Sequence, residues 1–316
     1  MTPVFLTVDT EFAWRHHAAG HDAAAIYARS IEPAGVGLSY QLGLLRRHGL
    51  KACFFVDPMP SLLFGLEPFR RLVGTILDAG QEVQLHLHPN WAGAVAGDGA
   101  AAYARFELVE YDLDEQRDLL SGAADLLVAA GAPAPVAFRA GSYAANDDTL
   151  AALAQLGFAY DSSHNGAAVP WPSQVGLPAR HIAPVWRGVV EVPVTVIEDA
   201  PGSLRTFQLC ALSVAEARDA LEHAAANAHA AVTIVSHGFE LANRAGTRAN
   251  AVHVRRFERL CEMLDERREA LPTTHFAARP ALSLGQDDAP LGPNLLRTRW
   301  RQAEQLWSNM VEERAR

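Results

Sequence analysis

The chain has 316 residues, 49% hydrophobic and 20% charged, with a formal net charge of −9 and a pI near 5.8. This composition is that of a globular protein with a real core, and the length suits one large α/β domain or two ordinary ones. The acidic balance argues against nucleic acid held by a general basic field.

The three cysteines, Cys53, Cys210 and Cys261, are sparse and form no CxxC pair, which argues against a disulfide framework or a zinc–thiolate site. The opening MTPVFLTVDTEF carries no basic leader, and no segment approaches the roughly 18 apolar residues of a membrane span. The expectation is a soluble protein of the reducing cytoplasm.

Taken in order, β-branched and aromatic runs alternate with amphipathic stretches. PVFLTVD (3–9) reads as a strand, followed by a helix over 34–48 with Leu38, Leu42 and Leu45 on one face and Gly49 as a stop. ACFFVD (52–57), a helix over 67–79 ending at Gly80, EVQLHLH (82–88) and a helix over 114–130 ending at Gly131 come next. VAFRA (136–140) precedes DDTLAALAQL (147–156), which two acids open and Gly157 closes. FAYD (158–161), VVEVPVTVI (189–197), a helix over 213–229, AVTIVSH (231–237) and a helix over 251–270 complete the pattern.

Such alternation predicts a parallel sheet, and a closed or nearly closed β/α barrel of one domain fits the length, with a doubly wound open sheet as the alternative. The expected organisation is a barrel over 1–285 and a helical tail over 286–316. The amphipathic tail carries Leu296, Trp300, Trp307 and Met310. It is expected to dock on its own domain, with a homodimer contact as the other use. Three long connections, 89–112, 162–188 and 238–251, all follow strands and read as functional loops.

VQLHLHPNW (83–91) sets one apolar strand face against another bearing Gln84, His86 and His88, so two imidazoles project together. Other polar residues also sit at strand ends: Asp9 and Glu11, Asp57, Arg139, Asp161 and His237. In a parallel barrel these ends share one mouth. Singly, each has a structural reading: Arg139 as a carboxylate partner, Asp161 in a turn, His237 at a strand-to-loop corner, Asp57 before Pro58. Their joint placement favours chemistry. Glu11, His86 and His88 make a facial set of one carboxylate and two imidazoles, which suits zinc, iron, cobalt or manganese. Asp9 as general base and His237 as general acid flanking that set describe amide or ester hydrolysis.

The ordered set TVDTEF, EVQLHLHPNW, FRAGSYAAND, YDSS and IVSHGFE resembles the polysaccharide deacetylases, the NodB-homology or carbohydrate esterase 4 group, over roughly residues 3–270. The resemblance implies a distorted (β/α)7 barrel and a divalent metal, probed first as zinc, serving removal of N-acetyl groups from amino sugars. It implies Asp9 as base, Arg139 as the arginine that orients it, Asp161 as the acid that tunes the last histidine, and His237 as general acid. Two positions depart from the family pattern. Thr10 stands where the second aspartate of an Asp-Asp pair would be a ligand, so Glu11 takes that role. Asn90 stands where a second histidine would follow His86 by four, so His88 takes it. The substrate implied is an N-acylated sugar or glycoconjugate precursor, with Trp91, Tyr143, Trp171 and Trp186 as candidates to stack on a ring. An allantoinase-, imidase- or deformylase-like amidohydrolase and a non-catalytic glycan-binding protein are the alternatives.

Overall fold

The computed structural model describes residues 1–95 and 105–313. Its first half runs β1 (Val4–Thr10), α1 (Trp14–Ala18), α2 (Ala23–Ser30), α3 (Leu38–His48), β2 (Cys53–Val56), α4 (Ser61–Phe64), α5 (Glu67–Asp78), β3 (Glu82–Leu87), α6 (Leu113–Ala129), β4 (Ala137–Ala140), α7 (Asp147–Gln155) and β5 (Tyr160–Asp161). The second half runs β6 (Val185–Trp186), β7 (Val190–Glu191), β8 (Val196–Ala200), β9 (Ser203–Thr206), α8 (Val214–Ala226), β10 (Val232–His237), α9 (Ala251–Glu266) and α10 (Leu295–Trp307). The last helix ends in a π-helical turn, Ser308–Glu312. Among the described residues no helix is long and apolar enough to cross a membrane.

The main sheet has the order β10-β1-β2-β3-β4-β5-β7-β6, parallel throughout except for the edge strand β6. It therefore holds the seven parallel strands of the expected barrel. Closure is irregular. Between β7 and β10 runs the chain from 194 to 209, linked by Val194 N–H to His164 O (2.9 Å), Thr195 N–H to Thr233 O (3.2 Å) and Leu209 N–H to Val235 O (2.9 Å). The single strand expected over 189–197 is broken at Pro193, which has no N–H for a ladder. Its second half leaves the barrel and pairs with β9 as a hairpin.

Two apolar layers hold the barrel. Val4, Leu6, Val8, Phe54, Val56, Leu85, Leu87 and Phe138 face the helices. The alternate residues Phe5, Cys53, Phe55 and Ala137 face inward and pack on Phe276. Phe276 stacks on Phe5 with ring centres 4.2 Å apart and forms the floor of the barrel. Glu82 fixes this floor by accepting the N–H groups of Phe276 and Ala277. Inward positions thus change from apolar at the floor to Asp9, His86 and Arg139 toward the strand ends.

The helices start and stop where local chemistry directs. Asp112 caps α6 by accepting from Glu115 N–H, and Gly49, at φ 61°, ends α3 in the left-handed region that suits glycine. The tail docks on its own domain, through the opposite face to the one expected. Arg301 is buried between Glu216 (3.0 Å) and Asp199 (2.8 Å), and Arg297 bonds Asp219. Leu296, Trp300, Trp307 and Met310 point outward and are exposed.

Candidate active site

Strand register assembles the site. Asp9 lies opposite His237 across β1 and β10, and His86 lies opposite Arg139 across β3 and β4. A cleft of about 150 Å³ opens there, walled by Asp9, Glu11, His86, His88, Ala140, Ser142, Tyr143 and His237. Parallel strands end together, so residues far apart in sequence meet.

Glu11, His86 and His88 converge as read from the strand pattern, with one ligand atom from each lying within 4.8 Å of the others. Oε2 of Glu11 is 2.5 Å from His88 Nε2 and 3.4 Å from His86 Nε2, and it is buried without an aligned hydrogen-bond donor. His86 Nδ1 lies 2.7 Å from the Arg139 carbonyl. A carbonyl only accepts, so Nδ1 carries the hydrogen and Nε2 offers its lone pair to the cleft. Burial pushes the Glu11 carboxyl up, but the His88 and His86 imidazoles outweigh it and hold it well below the usual range. Burial alone would lower His88, yet Glu11 raises it to about 9. A buried anion between two imidazoles fits a divalent cation of the zinc class. Thr10 takes no part: its hydroxyl donates to Val8 O. Asn90 is buried and is not in the cleft wall.

His88 also depends on its neighbour. A Cβ on Gly141 would meet the His88 ring at 2.4 Å, so only glycine lets the loop after β4 pass this close. The next two residues, Ser142 (φ 56°) and Tyr143 (φ 62°), are non-glycine residues in the left-handed region, a strain that clusters at functional sites. Both line the cleft.

Arg139 is fully buried and holds Asp9. Its Nη1 donates to Asp9 Oδ1 (2.8 Å) and Thr7 Oγ1 (2.6 Å). Its Nε donates to Ser162 O (3.0 Å) and Nη2 to Ser162 Oγ (3.0 Å). The guanidinium lies 4.5 Å over the Phe55 ring. The free Oδ2 of Asp9 faces His237 Nε2 at 3.8 Å.

Asp161 does not support His237. Its carboxylate accepts Ser163 N–H (3.1 Å) and Ser163 Oγ–H (2.7 Å) and rests against Glu191. Burial raises both acids, and Asp161 pushes Glu191 further, well above the usual range. His237 instead meets Glu240, a residue not singled out from the sequence, with Nδ1 to Oε1 at 2.9 Å. The signal was present in IVSHGFE, where the glutamate follows the histidine by three. Asp57 is fully buried and bonds Met59 N–H, in keeping with its structural reading; burial raises its carboxyl to about 6.

Of the four aromatic candidates for a sugar, only Tyr143 lines the cleft. Trp91 is 2% exposed and packed edge-on against Trp14 (4.7 Å) and tilted against His17 (5.2 Å), so its faces are not open to a ligand. Trp171 and Trp186 are 55% and 62% exposed and lie outside the cleft wall. The loop expected over 89–112 lies in part, at 96–104, outside the described residues.

A curled parallel sheet with carboxylates, imidazoles and a buried arginine at its strand ends defines the class, the polysaccharide deacetylase fold. The resemblance in the motifs is the one returned by comparison with solved structures. A Mycobacterium smegmatis protein assigned as a polysaccharide deacetylase matches over 96% of this chain and 91% of its own, at 20% identity and a TM-score of 0.51. A family 4 carbohydrate esterase from Streptomyces lividans, in complex with acetate, covers 93% of this chain and 98% of its own at 14% identity and a TM-score of 0.43. In sequence, the peptidoglycan deacetylase-like protein FGM2 of Gibberella zeae is 28% identical over 142 residues, 44% of this chain. The match spans 36% of that protein's length. No family model matches the chain.

Proposed function

We propose that this chain is a hydrolase acting on carbon–nitrogen bonds, removing an N-acetyl group from an amino sugar or glycoconjugate. The observation that carries the reading is one cleft holding Glu11, His86 and His88 beside Asp9 and His237. Glu11, His86 and His88 would hold a divalent cation, with zinc favoured and cobalt, iron or manganese compatible. When bound, it polarises the acyl carbonyl and makes water a better nucleophile near neutral pH.

The chain's own residues supply the proton transfers. Asp9 accepts the proton from the attacking water, and Arg139 holds the carboxylate in place while its own charge is spread over neutral acceptors. His237 gives the proton from Nε2 to the leaving nitrogen as the C–N bond breaks. The products are acetate and the free amine. A cleft of about 150 Å³ takes an acetamido group and leaves the sugar outside, against Tyr143 and under the strand-end loops. Trp171 and Trp186 remain candidates for that outer contact.

The test is acetate release from N-acetylated oligosaccharides by the zinc-loaded chain. Wild type is expected to release acetate, and Asp9→Asn to keep its circular dichroism while losing about 10²-fold or more in rate. Full activity in Asp9→Asn would remove Asp9 as base. Ligand binding with no turnover would leave a glycan-binding protein, and formate or a ring-opened product would name a different amidohydrolase. Elemental analysis should find about one metal per chain, lost in His88→Ala.

A further inference from the structure

The corner after β10 contains a pairing that neither the resemblance nor the comparisons assign. His237 and Glu240 lie within one turn, closed by Glu240 N–H donating to His237 O (3.1 Å). The turn is pinned from outside, with His253 Nδ1 in α9 lying 2.7 Å from the Glu240 carbonyl. Glu240 is 8% exposed, and its Oε1 gathers three groups: His237 Nδ1 (2.9 Å), the Gln208 side-chain amide, and Cys210 Sγ (3.3 Å). With Nδ1 occupied in this way, His237 presents Nε2 to Asp9 and the cleft. The acid expected to do this work, Asp161, is committed to Ser163 and Glu191.

We propose that Glu240 is the positioning carboxylate of the general acid, fixing His237 with a hydrogen on Nδ1 and a transferable proton on Nε2. This rests on the hydrolase reading above. A carboxylate on one imidazole nitrogen sets the tautomer and stabilises the charged ring. The imidazolium then loses its Nε2 proton to the leaving nitrogen and stays neutral with Nδ1–H still on Glu240. No further co-reactant is needed. The surroundings agree with the role. Glu240 on its own turn, Asp9 on β1 and Glu11 just after it all favour the charged ring, and burial opposes it; the balance puts His237 at about 9. Around Glu240, Gln208 and Cys210 contribute neutral donors; on α9, Arg256 is the nearby cation and His253 is a titratable group that burial holds below its ordinary value. Glu240 itself is raised by burial, but His237 and its hydrogen bonds outweigh this and hold it below the usual carboxylate range.

The experiment compares wild type with Glu240→Gln, Glu240→Asp and Asp161→Asn, each checked for fold by circular dichroism and loaded with zinc. Two readouts are taken: the imidazole NMR titration of His237, and the pH profile of kcat on an N-acetylated oligosaccharide. In Glu240→Gln the proton affinity of His237 should fall at least tenfold. The alkaline limb of kcat should move to lower pH, and kcat should drop while KM holds. Glu240→Asp should recover part of both. Asp161→Asn should leave the limb where it is. An unchanged His237 titration in Glu240→Gln, or an equal shift in Asp161→Asn, would overturn the pairing. If wild type shows no turnover the hydrolase reading fails, and the titration alone still decides whether Glu240 governs His237. If Glu240→Gln does not fold, Glu240→Asp gives the titration: no change there counts against the proposal.

Discussion

Arg139 holds Asp9 in a buried ion pair. It is the cation paired with that carboxylate, and both are almost wholly inaccessible. Removing one partner of a buried pair leaves the other uncompensated, so Arg139→Ala should lose about 3–5 kcal/mol in urea unfolding. Arg139→Lys should recover little, because a single ammonium cannot span Asp9, Thr7 and Ser162 together. Gly141, two residues further along, acts on His88. Gly141→Ala should push the His88 ring aside and weaken zinc uptake about 10- to 100-fold by competition with a chelator, with little change in the far-ultraviolet spectrum. His237 gives a pH signature. Its folded value of about 9 lies above the ordinary 6.5 of a free histidine, so its contribution is full below about pH 6.5 and is lost as pH rises through 9. Metal-stripped wild type should therefore lose more urea resistance between pH 7 and 10 than His237→Gln does.

At the level of elements, what was legible in the sequence was what periodicity and caps determine. The helix before Gly49, expected over 34–48 and found at Leu38–His48, and the strand expected over 82–88 and found at Glu82–Leu87 stand close to their expected places because their burial patterns are local. The proximity of His86 and His88 was legible for the same reason: an extended chain's period of two places them together without any knowledge of neighbours. What was not legible depends on packing partners. Trp91 reads as a loop aromatic but is enclosed by Trp14, His17 and Phe64. Glu240 meets His237 locally, three residues on in the same turn, whereas only the packing of β5 against β7 shows that Asp161 is held by Glu191 and kept from His237. The tail shows the same limit, since its ionic face turned inward against acids on α8 and β8. Arg301→Ala should consequently cost about 3–5 kcal/mol, as it strands Glu216 Oε1 and leaves Asp199 with Arg205 alone. Trp300→Ala, at an exposed position, should stay within about 0.5 kcal/mol.

In the whole molecule, the polar mouth stands on an apolar floor, and both are built from inward-facing residues of the same strands. Phe276 contributes most to that floor, contacting Phe5, Phe55 and Tyr160. Phe276→Ala should cost about 3–5 kcal/mol by thermal or urea unfolding, and it should loosen the mouth as well, because Glu82 and Gln84 link the floor to β4.

The pairing of β1 with β10 has a consequence for synthesis on the ribosome. β1 lies between β2 and β10, with Asp9 beside His237. Residues 4 to 10 therefore wait, with one edge open, until more than two hundred further residues have been translated. At typical elongation rates of about 5–20 residues per second, that interval lasts on the order of ten seconds or more. During it, an apolar strand edge is available to wrong partners, and Asp9 and His237 cannot yet have met. Asp9 and His237 can come together only after β10 has been made.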